Sequence, residues 1–155
     1  MAKTDTGVKI VALNRKASHD YFLEDRFEAG LALLGTEIKS VRAGQVQLKE
    51  AYVQAEGGQV FLLNAHISIY DPAARMNHEP RRPRRLLLHK REIYKLQEHV
   101  KQKGYTIVPV KMYLAKGRAK VEIALAKGKK QYDKRQAIAE RESRRDMARA
   151  MGRRG

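Results

Sequence analysis

The sequence holds no cysteine and no tryptophan, only four prolines, and only 6 % aromatic residues. Without cysteine there is no disulfide framework, no thiolate metal site and no cysteine nucleophile. With so few rings, a base-stacking sheet of the RNA-recognition-motif kind is not expected. Long apolar runs are missing too. The longest, Leu86–Leu88 and Gly30–Gly35, are far too short to span a bilayer, and no basic amphipathic helix carries the bulky apolar face that interfacial insertion needs. Acidic residues are the minority charge, 17 against 33 lysines and arginines, for a net +16 and a pI near 10.2. Self-repulsion of that size is tolerated when a polyanion neutralises it, and nucleic acid is the usual one.

What is present fits one globular domain. The chain has 155 residues, 43 % of them hydrophobic, enough to bury a core and too many for global disorder. Met1–Gly7 is short and polar with no apolar h-region, so a secretory signal is not expected and a cytoplasmic protein is.

Val8–Leu13 is apolar and β-branched and predicts a short strand, followed by a polar, basic loop over Asn14–Asp20. Tyr21–Leu34 shows neither clean face and is read as a long bent strand, with Gly30 as a bulge or close-approach position. Thr36–Ala43 predicts a short helix that Gly44 ends. Ala51–Ala55 and Val60–Ile69 flank Gly57-Gly58, a tight-hairpin signal. Asp71–Arg85 holds three of the prolines and five arginines and reads as an exposed connector. His89–Lys103 predicts a helix with Ile93, Leu96 and Val100 on one face. Tyr105–Ala115 and Arg118–Ala126 form a second hairpin about Lys116-Gly117, with Val108, Val110, Met112 and Leu114 inward on its first strand and Val121, Ile123 and Leu125 on its second. The class expected is mostly β: a single closed antiparallel barrel like an oligonucleotide-binding (OB) fold, with short flanking helices.

After Lys127 the pattern changes. Residues 127–155 carry eleven basic and four acidic residues, with too few large apolar ones to bury a helix face. Two parts follow: an RNA-binding body over 1–127 and a basic tail over 128–155, expected to be disordered alone and helical when bound.

The cations are clustered: Arg15-Lys16, Arg81-Arg82, Arg84-Arg85, Lys127, Lys129-Lys130, Lys134-Arg135, Arg144-Arg145 and Arg153-Arg154. On a helix, Arg141, Arg145 and Arg149 would form one stripe able to track a phosphate backbone. Tyr132 lies between cations in the coreless segment, a candidate base-stacking ring. Tyr21, Phe22, Phe27, Tyr52, Phe61, Tyr94, Tyr105 and Tyr113 are assigned to the core or its margin. Catalytic patterns are weak. Glu24, Asp25 and Glu28 enclose Arg26, which suits surface ion pairing, and the five histidines show no zinc spacing. No catalytic residue, metal, cofactor or small-molecule substrate is expected.

Several short strings carry a resemblance when taken in order. They are Asn14-Arg15-Lys16-Ala17, His19-Asp20-Tyr21, Glu28-Ala29-Gly30-Leu31 and Gly35-Thr36-Glu37-Ile38-Lys39-Ser40. Further on come Asn77-His78, Arg84-Arg85-Leu86-Leu87-Leu88-His89, Gly104-Tyr105-Thr106, Lys120-Val121, Ala126-Lys127-Gly128-Lys129-Lys130 and Asp133-Lys134-Arg135. From about Val8 to Arg149 the chain resembles the SsrA-binding protein (small protein B, SmpB) family, the bacterial partner of transfer-messenger RNA in ribosome rescue. The resemblance implies an OB barrel that holds the tRNA-like part of that RNA, and a tail that enters the vacant messenger channel of a stalled small subunit and folds into a helix there.

It also implies site residues. Asn14, Glu28, Leu87 and Lys120 match positions the family uses for RNA, and with Arg15, Lys16, Arg84 and Arg85 they form the expected RNA-binding set. Leu87 has two open readings, packing on a base or sugar and packing in the core. Lys127, Lys129, Lys130, Tyr132, Asp133, Lys134, Arg135, Arg141, Arg145 and Met151 form the expected tail set at the decoding centre. Tyr132 stands where some members carry histidine, and Ala150-Met151 where a bulkier apolar pair is expected. The expected partners are transfer-messenger RNA and the ribosome, with no membrane. The rival readings are a structural ribosomal protein bound to ribosomal RNA and an RNA-processing enzyme that would depend on Glu24, Asp25 or Glu28.

Overall fold

The computed structural model describes residues 8–71, 76–102 and 104–129. Its elements run β1 (Val8–Leu13), α1 (Arg15–Asp20), β2 (Tyr21–Leu31), α2 (Gly35–Arg42), β3 (Val46–Gln47), β4 (Tyr52–Glu56), β5 (Gln59–Leu63), β6 (His66–Ile67), β7 (Arg84–Leu87), α3 (Lys90–Val100), β8 (Tyr105–Ala115) and β9 (Arg118–Gly128). The mostly-β class with short helices is the one the sequence predicts.

The antiparallel pairings run β8–β4–β5–β7–β2–β9 and return to β8, while β3 and β6 form a separate two-stranded sheet. The barrel is pinned rather than zipped at two seams. A single pair, Val53↔Ile107, joins β4 to β8, and two pairs join β2 to β7. The 11-residue β8 serves two neighbours on one edge, β4 near its start and β1 from Lys111 onward.

Both predicted hairpins form, with Gly57, Gly58, Lys116 and Gly117 at positive φ, the conformation a two-residue type I′ turn requires.

Three bulges interrupt simple alternation, the first in β1 between Ile10 and Ala12. In β2 an extra residue lies between Leu23 and Arg26, which is why neither face of Tyr21–Leu34 is cleanly apolar. Gly30 is therefore not the bulge. In β8 the register shifts between Pro109 and Lys111, placing the proline at an irregularity that tolerates its missing N–H. The shift also changes the inward phase. Ile107 precedes it in the main core and Met112 and Leu114 follow, whereas Val108 packs with Ala17 and Ala126 in a second cluster and Val110 is half-buried. The predicted row of Val108, Val110, Met112 and Leu114 is corrected accordingly. On β9 the predicted Val121, Ile123 and Leu125 are fully buried.

The loop expected at Asn14–Asp20 is instead α1, capped by Asn14, whose Oδ1 accepts the Ala17 N–H at 3.3 Å. Ala17 is its one buried residue. So short a helix shows too little apolar periodicity to announce itself.

The connector expected to be exposed is pinned at several points. His78 Nε2 donates to the Ile67 carbonyl at 2.7 Å and its Nδ1 accepts from the Thr36 hydroxyl at 3.1 Å. Arg84 is 0 % exposed. Its Nε and Nη2 reach Glu37 Oε2 at 2.7 and 2.6 Å, and Nη1 donates to the Ala65 carbonyl at 2.8 Å. Arg82 forks onto the same carboxylate, Nη2 to Oε1 at 2.6 Å and Nε to Oε2 at 3.2 Å. The Leu34 N–H gives Oε1 another bond at 2.8 Å, closing the start of α2. Burial pushes the Glu37 carboxyl up, but the Arg82 hydrogen bond, the Leu34 N–H and Arg84 outweigh it and hold the group below its ordinary value.

A carboxylate held low contributes stability above its unfolded pKa, and that stability is lost as pH falls through the lower folded value. Glu37→Gln strands a buried guanidinium and is expected to cost about 3–5 kcal/mol in urea denaturation at neutral pH. The difference from wild type shrinks below the ordinary Glu range. A loss under 1 kcal/mol, or one that grows in acid, contradicts this role.

Candidate nucleic-acid interface

The alternation of β7 fixes the start of the site. Arg84 and Leu86 face inward, so Arg85 and Leu87 face out. Leu87 is 53 % exposed, which leaves the contact reading and removes the core reading. Gly30 of β2 pairs with Leu87 on one side and Lys120 on the other. A Cβ on Gly30 would lie 3.5 Å from the Leu87 Cβ, so this glycine's bare side is the side Leu87 occupies. The absence of a side chain there opens a groove across three adjacent strands. Against about 680 Å³ for the separate hollow beside Asn14 and Lys16, the groove encloses about 1010 Å³. Leu33, Leu34, Ile38 and Leu87 give it apolar walls, and Arg118 and Lys120 stand at its edge.

Glu28 lies two residues before Gly30, on the same face of β2. Lys120 Nζ donates to its Oε1 at 3.2 Å, and the Tyr113 hydroxyl donates to its Oε2. These two bonds, Tyr113's first, hold the Glu28 carboxyl below its ordinary value, so it remains an ionised acceptor at neutral pH. The structure therefore brings Glu28, Leu87 and Lys120 together, with Arg85 two residues before Leu87 on the same outward face of β7. Apolar surface, one acceptor and a set of cations can together hold a base or ribose beside a phosphate.

Arg84 is corrected: buried and committed to Glu37, it cannot reach a ligand. Its cluster with Arg81, Arg82 and Arg85 looks like surface only because Glu37 is 47 positions away. Asn14 is also structural in its contacts. It is 7 % exposed, its side chain donates to the Pro109 carbonyl at 2.8 Å, and its backbone N–H donates to Val110. It clamps the β8 bulge and sets α1 in place, and α1 presents the exposed Arg15 and Lys16. Lys16 forms an exposed pair with Glu50 at 3.6 Å.

Lys127 lies near the end of β9 and Lys129 just past it, beside α1. Lys129 donates to the Ser18 carbonyl at 3.0 Å and lies over the Phe22 ring, while Lys127 lies over Tyr105. The rest of the tail set, Lys130, Tyr132, Asp133, Lys134, Arg135, Arg141, Arg145 and Met151, lies outside the described residues.

Sequence reasoning missed Tyr113, Arg118 and Leu34. Gly30 had a signal, since glycine inside a strand marks close approach. Tyr113 had none, because its partner is 85 residues away. Tyr52, Tyr94 and Phe22, assigned to the core or its margin, are exposed instead. The acidic triplet is engaged: Glu24 accepts the Tyr105 hydroxyl, Asp25 pairs with Lys95 at 2.9 Å, and Glu28 takes Tyr113 and Lys120, while Arg26 between them pairs with Glu122 at 3.0 Å. Among the described residues, no group of three His, Asp or Glu side chains is placed to hold a metal ion.

Comparison with known proteins points one way. A family model described as "SmpB protein" matches residues 11–153. The SsrA-binding protein of Symbiobacterium thermophilum is 55 % identical over 152 residues, covering 97 % of this chain and 96 % of its relative. That of Shouchella clausii is 54 % identical, with the same coverage. A solved structure described as "tmRNA-SmpB: a journey to the center of the bacterial ribosome" superposes with a TM-score of 0.66 at 45 % identity, covering 79 % of this chain and 85 % of the other.

If the groove contacts RNA, Lys120→Ala should weaken binding and flatten the log–log salt dependence by one contact's share, about 0.7 to 0.9. An unchanged slope removes Lys120 from the phosphate-contacting set.

Proposed function

The chain belongs to the SmpB protein family, and from that premise we propose that it binds transfer-messenger RNA and delivers it to stalled ribosomes for trans-translation. The observation that carries this reading is the superposition, at 45 % identity, on a chain solved in a tmRNA–SmpB–ribosome context. The groove supports it. Leu87 exposed beside Gly30, with Glu28 and Lys120 on the same face, suits the irregular backbone and unpaired bases of a folded RNA.

In this reading the body, residues 1–127, holds the tRNA-like part of the RNA. Glu28, Arg85, Leu87 and Lys120 contact it directly, and Arg15 and Lys16 extend the contact from α1, which Asn14 anchors. The tail, residues 128–155, enters the vacant messenger channel. There Lys129, Lys130, Lys134 and Arg135 contact ribosomal RNA phosphates, Tyr132 stacks on a base, and Arg141 and Arg145 line one face of the helix the tail forms. Protein and RNA together then occupy the decoding site as a tRNA would, and peptidyl transfer remains the ribosome's chemistry. A protein that works this way has no catalytic residue of its own. It acts in the cytoplasm, where stalled ribosomes are.

Truncation after Lys127 is expected to leave binding to transfer-messenger RNA within about threefold, because only the salt-dependent contribution of the tail is lost. Tagging on stalled ribosomes is expected to be abolished. Equal loss of both activities contradicts the division into a binding body and an acting tail.

A further inference from the structure

Tyr113 is only 6 % exposed, yet it lies on the sheet face that carries Glu28 and Lys120. Pairing fixes its place. It stands opposite Lys120 across β8–β9 and opposite Ile10 across β1–β8, while Met112 and Leu114 on either side enter the core. The ring lies beneath the Glu28 carboxylate, with Lys111 Nζ 5.9 Å from its centroid. In the β2–β9 register Glu28 faces Glu122, a like-charge pairing that pushes the two carboxylates apart. Arg26 draws Glu122 away at 3.0 Å. The two oxygens of Glu28 are thus divided: Oε2 takes the Tyr113 hydroxyl from a fixed, buried ring, and Oε1 takes Lys120.

We infer that Tyr113 is a positioning residue for RNA binding: by holding one oxygen of Glu28, it restricts Lys120 to a single-point contact that an RNA phosphate can replace. This rests on the reading of the Glu28–Leu87–Lys120 groove as an RNA contact surface. An ammonium has three donors, and Lys120 gives one to Glu28, leaving two for the groove. Without the hydroxyl, Glu28 is free to turn both oxygens toward Lys120, and a phosphate must displace a stronger, charge-assisted pair. A phenol suits this task. Burial and the neighbouring Glu28 charge push its pKa well up, so the donor keeps its proton throughout the working pH range.

The test measures the salt dependence of transfer-messenger RNA binding for wild type, Lys120→Ala, Tyr113→Phe, and Tyr113→Phe combined with Glu28→Gln. Urea denaturation confirms that each variant is folded. Tyr113→Phe is expected to flatten the log–log slope as Lys120→Ala does, by about 0.7 to 0.9. Adding Glu28→Gln should restore the slope, because a neutral amide no longer retains Lys120. A full slope in Tyr113→Phe alongside a flattened one in Lys120→Ala overturns the positioning role and leaves the groove standing. A slope that stays flat in the double variant also overturns it, since the ring would then act through packing alone. An unchanged slope in Lys120→Ala removes the groove reading, and this inference with it.

Discussion

The buried pair between Glu37 and Arg84 ties the fold to its surface. Both side chains are fully buried, a costly arrangement unless every lone pair and proton is used. Here they are nearly all used: the carboxylate takes two guanidinium groups and the Leu34 N–H, and Arg84 also reaches the Ala65 and Glu79 carbonyls. The pair joins the start of α2 to β7 and holds the connector between them. It also sets the face of β7. Side chains alternate along a strand, so a one-residue slip would turn Arg84 outward and draw Arg85 and Leu87 in. The exposure of Leu87 beside Gly30 therefore follows from a charge pair on the other side of the same strand.

The groove depends on what is absent as much as on what is present. Gly30 pairs with both Leu87 and Lys120, and any side chain there would stand between them. The local electrostatics run against the global charge. In a protein of net +16, an ionised carboxylate, Glu28, stands beside the groove, stabilised by Tyr113 and Lys120. Long-range attraction to RNA comes from the whole surface and discriminates little. Discrimination needs fixed acceptors and apolar contacts at defined places, and Glu28 with Leu87 supplies one of each.

Local signals in the sequence were legible and long-range ones were not. The hairpins at Gly57-Gly58 and Lys116-Gly117, the α2 stop at Gly44 and the inward row of β9 all rest on neighbours within a few residues, and all appear in the structure. The phase of β8 was misread because a bulge at a single position reverses alternation and leaves no local trace beyond Pro109. Arg84 was misplaced for the opposite reason, since its environment is made by Glu37 from a distant segment. Of the groove, Glu28, Leu87 and Lys120 were legible only through resemblance to a family. Their proximity, and the part of Tyr113, came from the register of β7, β2, β9 and β8.

The central claim is that this surface selects one RNA rather than merely attracting polyanions. The most direct measurement is competition binding of the full chain to transfer-messenger RNA, ordinary tRNA and random RNA of similar length, at near-physiological salt. The account predicts a clear preference for transfer-messenger RNA that persists as salt rises, because fixed polar and apolar contacts are not screened as phosphate contacts are. Equal binding to all three, falling together with salt, would mean that charge alone drives association and would contradict it.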